Sequence, residues 1–442
     1  MGTELIVIIV MISLVILLAI EIPVAFCLAG SGALGLVLLR GTGVASATLA
    51  NLPFQATSSF TLTVIPMFIL MGMFAMQANI AEDLFRVTNR ALYFVRGGIA
   101  VATIITCAGF AAVCGSSVAT AATVGKLTIK EMQRYGFSGG FAGALVASAG
   151  TLGVLIPPSI VLVIFGIITD ESIGALLLAG VIPGIVSALI MMLGVLILAY
   201  FGYGYDVNIA RNASITDSNL RSGNYGGILK LVILFVIVIG GIYTGLITAT
   251  EAAAMGALAS LVMLLLSVFK GQLGFFSALK EALSNTASLT SMVFAILVGA
   301  SIFSFFLVSA GVPNDFADWV LSFNLSPSLL VLLLLLSLVP LGMILDGVSI
   351  QLITVPLFYP VVVTELGFDG LWYAILTVKM IELGLITPPV GVNAFIVANL
   401  VGKGGLEKIF RSLSIFVLLD LIIFSVLFIF PAISTWLPSQ MN

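Results

Sequence analysis

Apolar residues along this chain come in long unbroken runs instead of strand-like alternation. Stretches 231–246, 252–269 and 412–430 approach or reach the about 20 apolar residues that carry a helix across about 30 Å of hydrocarbon. Ten-residue segments of alternating polarity are absent, which argues against a β-barrel. The opening MGTELIVIIVMISLVILL has no basic region and no small-residue cleavage site, so it reads as a first transmembrane helix and not as a removed signal. The longest polar stretch, DVNIARNASITDSNLRSGNYGGILK at 206–230, divides the chain and is expected to be a cytoplasmic connector with an amphipathic surface helix.

Composition sharpens this picture. Hydrophobic residues make up 61% of the 442, charged residues 8%, and the mean hydropathy is +1.29, far outside the range of water-soluble domains. The fold class expected is an all-α polytopic membrane protein whose principal surroundings are membrane lipid. A net charge of -3 with no long basic block gives no reason to expect nucleic acid. Cys27, Cys107 and Cys114 all sit in apolar surroundings, as small core residues do. The absence of histidine excludes imidazole relays and His-ligated metals.

Charge then orients the runs. Basic residues gather in some connections: Arg86, Arg90 and Arg96; Lys126, Lys130 and Arg134; Arg211, Arg221 and Lys230; Lys270 and Lys280; Lys403, Lys408 and Arg411. The positive-inside rule makes these cytoplasmic. Asp170 and Glu171, Asp315 and Asp318, and Glu365 and Asp369 mark connections on the opposite side, where Arg40 is the single basic exception. Residues 97–128 return to the side they left, so they form a re-entrant hairpin with its tip at CGSS (114–117). Residues 326–364 do the same from the acidic side, with a tip at LDGV (345–348). Ten crossings plus two hairpins follow, with both termini outside.

A shift of 231 positions superimposes YGFSGGFAGALVASAGTLGVLIPP, from Tyr135, on LGFDGLWYAILTVKMIELGLITPP, from Leu366. The same shift sets Gly115 opposite Asp346, and within one position it sets Glu21 opposite Glu251. Two halves of opposite charge polarity, each with a hairpin and an interrupted helix, fit inverted-topology repeats of a secondary transporter. The first repeat spans 1–205, with scaffold helices in 5–78, a broken helix at 140–169 and a helix at 172–203. The second spans 231–442, with scaffold helices in 231–310, a broken helix at 371–401 and a helix at 412–430.

The interruptions at Pro157–Pro158 and Pro388–Pro389 remove backbone donors and release carbonyls of the preceding turn. Such a break survives in hydrocarbon only where protein, water or an ion meets it. Carbonyl and hydroxyl oxygens suit dehydrated Na⁺, while the helix restarting beyond the prolines offers its positive end to an anion. One expected Na⁺ site holds Ser116, Ser117, Gly150, Thr151 and Gly153. The other holds Asp346, Gly347, Gly384, Thr387 and Pro389. Ser116, Pro158, Lys379, Glu382 and Asn393 are the candidates for an anionic substrate seat. Competing readings stand beside these: any single Gly or Ser can serve close helix packing, Asp346 can cap a hairpin arm, and Lys379 can pair with Glu382 across one turn. Glu21, Glu251 and Asp420 are expected near helix ends in interfacial or capping roles, and Trp319, Trp372 and Trp436 as interfacial anchors.

EIPVAFCLAGSG, CGSSVATAATVG, GTLGVLIPPSIVLVIFG, DGVSIQLITVP and ELGLITPPVGVNAFIV together resemble the large membrane subunit of tripartite ATP-independent periplasmic transporters, along essentially the whole chain. The resemblance implies a bacterial inner-membrane, Na⁺-driven symporter of the ion transporter superfamily that works by an elevator motion and takes organic acids such as C4-dicarboxylates or sialic acid. It also implies two partners: a small four-helix membrane subunit, expected as a separate chain, and a periplasmic substrate-binding protein. Na⁺ is the coupling ion, and no organic cofactor is expected. A stand-alone Na⁺/dicarboxylate symporter and an anion channel are the alternatives. An enzyme is disfavoured because no nucleophile stands with a base.

Overall fold

The computed structural model describes residues 2–206, 226–269, 274–402 and 404–441. Arg211, Arg221, Lys270, Lys403 and most of the expected connector, with its surface helix, lie outside these. Every regular element among the described residues is helical. Among the described residues eight helices are long and apolar enough to cross a membrane, or nine when the bent pair Gly139–Leu155 and Ile160–Thr169 counts as one span.

The chain begins with α1 (Thr3–Ala19), α2 (Val24–Thr57), α3 (Val64–Gln77) and a short amphipathic α4 (Ile80–Leu92). Gly41, at φ 84°, bends α2 in the middle. The first hairpin follows as α5 (Gly98–Cys114) and α6 (Ser117–Arg134). Gly115, at φ 65°, reverses the chain where an L side chain would be strained, and the Ser116 hydroxyl caps α6. Next come α7 (Gly139–Gly150), the single turn α8 (Leu152–Leu155), α9 (Ile160–Thr169) and α10 (Ile173–Tyr200).

The second half repeats this order. It contains α11 (Gly226–Phe235, prolonged by a π turn to Gly240), α12 (Ala249–Phe269), α13 (Phe275–Ser309) and α14 (Val312–Ser322). Its hairpin is α15 (Pro327–Leu336, continued by Leu338–Gly342) and α16 (Gly347–Tyr359). Then follow α17 (Gly370–Ile386), α18 (Val392–Val401), α19 (Gly405–Ile429) and a terminal α20 (Ala432–Ser439). At the 231-residue shift, α7 begins opposite α17, α10 opposite α19 and α4 opposite α14 within a residue, so the sequence correspondence extends to element boundaries. Glu251 behaves as expected at a helix start: its Oε2 accepts from the Thr248 amide at 2.8 Å, while the Thr248 hydroxyl accepts from the Glu251 amide.

Two groupings pack against each other. In the first, α2 lies along α13 and α3 along α12. Gly32 makes the close approach possible, because a Cβ there would stand 2.8 Å from Phe303 Cα. In the second, the hairpins enclose the broken helices, and α19 packs on α7. A crevice of about 600 Å³ lies between the groupings, lined by Gln55, Asp170, Ser301 and Leu352 among others.

The connections sort by charge into two ends. Arg96 lies over the Tyr200 and Tyr205 rings, Phe137 bridges Tyr205, and Gly140 abuts the Lys408 carbonyl, which gathers the basic connections. The Tyr359 hydroxyl donates to Glu171 at 2.6 Å and Phe316 stacks on Phe358, which gathers the acidic ones. The first hairpin opens toward the basic end and the second toward the acidic end. Trp319 and Trp436 are exposed, but Trp372 is not the expected anchor. It is buried, and its Nε1 donates to the Leu427 carbonyl at 3.1 Å, so the ring cannot reach an interface. Cys27, Cys107 and Cys114 are free and buried, as expected of core residues.

Candidate functional site

Each hairpin tip meets the broken helix of its own half. Pro157 and Pro158 carry no N–H, so the Gly153 and Val154 carbonyls have no helical donor four residues on. Gly153 is seated at the first tip, where an added Cβ would stand 2.7 Å from the Ser116 carbonyl oxygen and 2.8 Å from Thr120 Oγ1. Gly150 approaches the Ser117 carbonyl in the same way, at 3.2 Å. Thr151 is buried, its hydroxyl donating to the Ser148 carbonyl at 2.7 Å. Ser116, Ser117, Gly150, Thr151 and Gly153 are thus brought together, and Thr120 joins them. Its hydroxyl donates back to Ser116, and its position in a helical turn gave the sequence reading no reason to select it.

In the second half the close approach lies one turn before the tip. A Cβ on Gly384 would stand 2.6 Å from Gly342 Cα and 2.7 Å from the Val339 carbonyl. Gly347 is looser, with Ile381 Cγ2 at 3.4 Å. The Thr387 hydroxyl donates to Leu383 at 2.6 Å and its amide to Gly384 at 3.0 Å. Asp346 caps α16: Oδ2 accepts from the Val348 and Ser349 amides at 3.1 and 3.2 Å, and Oδ1 accepts from the Ser349 hydroxyl. The capping reading of Asp346 is therefore realised. Both peptide bonds Pro157–Pro158 and Pro388–Pro389 are cis. The breaks differ in access, since residues 156–159 are enclosed whereas Pro388, Pro389 and Val390 are exposed.

The halves also cross-link. Ser117 Oγ donates to Glu382 Oε1 at 3.1 Å, joining the first tip to the second broken helix, while Glu382 Oε2 has no protein partner. Asn393, in the first turn of α18, is fully buried; its Nδ2 reaches the Ala147 carbonyl at 3.5 Å and its Oδ1 has none. Pro158 is buried beside Gly115, whose added Cβ would lie 2.6 Å from the Pro158 carbonyl. α9, capped by the Ser159 hydroxyl, and α18 both begin at this level, so two positive helix ends converge on the tips.

Lys379 departs from the sequence reading. It pairs with Asp420 and not with Glu382, and the side chains of the pair are only 3% and 1% exposed. Three residues along a helix can meet, but α19 packs against α17 on the side where Lys379 projects and supplies a carboxylate there. Asp420 is accordingly neither interfacial nor a cap: it lies inside α19 and also accepts from Ser148 Oγ at 3.3 Å. The signal for it was an acid embedded in the apolar run 412–430. Gln351 was missed as well; it is fully buried on α16 with neither amide atom bonded, at the position corresponding to Thr120.

This arrangement offers oxygen donors suited to a hard cation at two breaks, and helix N-termini suited to a carboxylate. Among the described residues no group of three or more Cys, Asp or Glu could hold a metal cluster. The family profile described as "Tripartite ATP-independent periplasmic transporter, DctM component" matches residues 11–433. The C4-dicarboxylate TRAP transporter large permease protein DctM of Pseudomonas aeruginosa is 34% identical over 414 residues, covering 93% of each chain. The sialic acid TRAP transporter large permease protein SiaM of Vibrio cholerae is 29% identical over 421 residues, covering 94% of each. Among solved structures, the YdaH transporter of Alcanivorax borkumensis matches with a TM-score of 0.59 over 90% of each chain at 14% identity, a likeness of fold.

Proposed function

The chain belongs to the DctM component family of tripartite ATP-independent periplasmic transporters, a transporter subunit and not an enzyme, and on that premise we propose that it drives Na⁺-coupled uptake of an organic acid. The substrate belongs to the C4-dicarboxylate or sialic acid class named for its relatives. A periplasmic binding protein delivers it, and a separate small four-helix membrane subunit completes the permease in the bacterial inner membrane. Na⁺ occupies the two breaks. Ser116, Ser117, Gly150, Thr151 and Gly153 hold one ion, and Asp346, Gly347, Gly384, Thr387 and Pro389 line the other. The observation that carries this reading is the meeting of each hairpin with the proline break of its own half, which gathers carbonyl oxygens that lipid could not satisfy.

The substrate carboxylate sits on the N-termini of α9 and α18, with Ser116, Pro158 and Asn393 around it. Glu382 suits the cation side better, because a buried carboxylate with one free oxygen repels an organic acid and attracts Na⁺. Lys379, held by Asp420, is assigned to that ion pair. The grouping of hairpins and broken helices moves as an elevator against the scaffold of α2, α3, α12 and α13.

The test is uptake of labelled succinate and sialic acid into proteoliposomes holding this chain and its small subunit. It is run with and without an inward Na⁺ gradient and the binding protein. Uptake requiring both is expected. Uptake indifferent to the binding protein would replace this reading with a stand-alone carrier, and flux indifferent to Na⁺ would remove the ions from the two breaks.

A further inference from the structure

Ser148 and Lys379 occupy corresponding positions in the two broken helices, 231 residues apart like the two proline pairs. Both side chains converge on one carboxylate. Asp420 Oδ2 accepts from Ser148 Oγ at 3.3 Å, and Oδ1 accepts from Lys379 Nζ. All three groups are buried. Beyond each anchor the next turn reaches a candidate cation site: Thr151 and Gly153 follow Ser148, and Glu382 and Gly384 follow Lys379.

We propose that Asp420 is a positioning residue that couples the two breaks, tying the same turn of both broken helices to one point of α19. Displacement of one break on taking up an ion then shifts the other. This rests on the reading of the breaks as cation sites.

Stability alone does not account for a lysine and an aspartate here. A buried ion pair is matched or exceeded by apolar residues of equal volume, because desolvation of the two charges offsets their attraction. The residues that share the buried face of α19 with Asp420, Phe416, Ile423 and Phe424, are apolar and compatible with such a replacement. What the carboxylate provides, and a leucine cannot, is two directional bonds to two different helices.

The experiment measures initial uptake against external Na⁺, with choline keeping ionic strength constant, in proteoliposomes holding the full chain, its small subunit and the binding protein. Ser148→Ala cuts the link to the first broken helix and leaves the ion pair whole. Lys379→Met with Asp420→Leu removes both charges together. Expected for the wild type is a sigmoidal curve with a Hill coefficient above one. Ser148→Ala should bring the coefficient to about one and raise half-saturating Na⁺ about five-fold or more, the lower range of coupling between sites, with the limiting rate retained. The double variant should do the same if its melting temperature shows it folded. A folded Ser148→Ala protein with the wild-type coefficient and half-saturation would overturn the coupling and leave a structural ion pair. Wild-type uptake insensitive to Na⁺ would instead overturn the cation reading of the breaks, and the coupling with it.

Discussion

At the scale of single residues, the second close approach gives a direct measure of how tightly hairpin and broken helix are matched. Gly384 faces backbone on the partner segment, Gly342 Cα at 2.6 Å and the Val339 carbonyl at 2.7 Å from an added Cβ, and backbone cannot rotate away as a side chain can. Gly384→Ala must therefore part the two segments, and a destabilisation of about 1–3 kcal/mol is expected from such overpacking. Gly347→Ala meets only side-chain methyls, Ile381 Cγ2 at 3.4 Å and Val161 Cγ2 at 4.0 Å, and should change stability by less than about 0.5 kcal/mol. Thermal unfolding of both variants in detergent checks the difference, and equal melting temperatures would mean that the hairpin does not bear on α17 as described. The sequence made Gly384 a candidate through its place before the prolines, but it could not distinguish a carbonyl ligand from a packing glycine, since both need only a missing side chain. Lys379 was misread for a related reason. Spacing along one helix identifies neighbours within it, and the decisive carboxylate comes from a helix 41 residues away.

Elements were more legible than residues, because prolines, glycines and charged ends leave marks that partner choice does not. The hairpins, the breaks and the 231-residue correspondence all followed from such marks. The difference in access between the breaks did not, because the two proline pairs are identical in sequence. The first break is enclosed by α10, where a Cβ on Gly184 would stand 2.5 Å from Ile156 Cγ1. The second is exposed from Pro388 to Val390, beside Phe410 near the basic end. Lipid does not satisfy an interrupted backbone, so this opening must face water or protein. Val390→Cys should then react with a membrane-impermeant maleimide supplied from the side of the basic connections. The wild-type protein serves as its own control, because Cys27, Cys107 and Cys114 are all buried and should remain unlabelled. Labelling of Val390→Cys at least about ten-fold above that background is expected, given that thiol reactivity follows exposure. Labelling at background level would mean that protein, the small subunit among others, covers the opening.

For the whole molecule, the two ends differ in charge more than either half does in sequence. Arg86, Arg90, Arg96, Lys126, Lys130, Arg134, Lys230, Lys280, Lys408 and Arg411 belong to the connections gathered at one end. At the other end stands Arg40, since Gly32 against Phe303 and Gly35 against Phe306 run α2 parallel to α13 and bring Arg40 level with Gly311, just past the end of α13. The bias in lysine and arginine sets orientation, so the crowded end is expected to be cytoplasmic, and one exposed arginine is not expected to reverse it. The carboxyl terminus lies opposite: a Cβ on Gly174, next to the acidic turn Asp170–Glu171, would stand 3.6 Å from Met441 Cε. Alkaline phosphatase fused after Gln440 should accordingly be active in intact cells, and a fluorescent protein fused there after export through the same route should stay dark. A protease tag placed within 206–230 should be cleaved only after the membrane is opened. Arg40→Glu should leave all three results unchanged. A bright fluorescent fusion at the carboxyl terminus would invert the molecule, and it would then turn the exposed second break toward the periplasm.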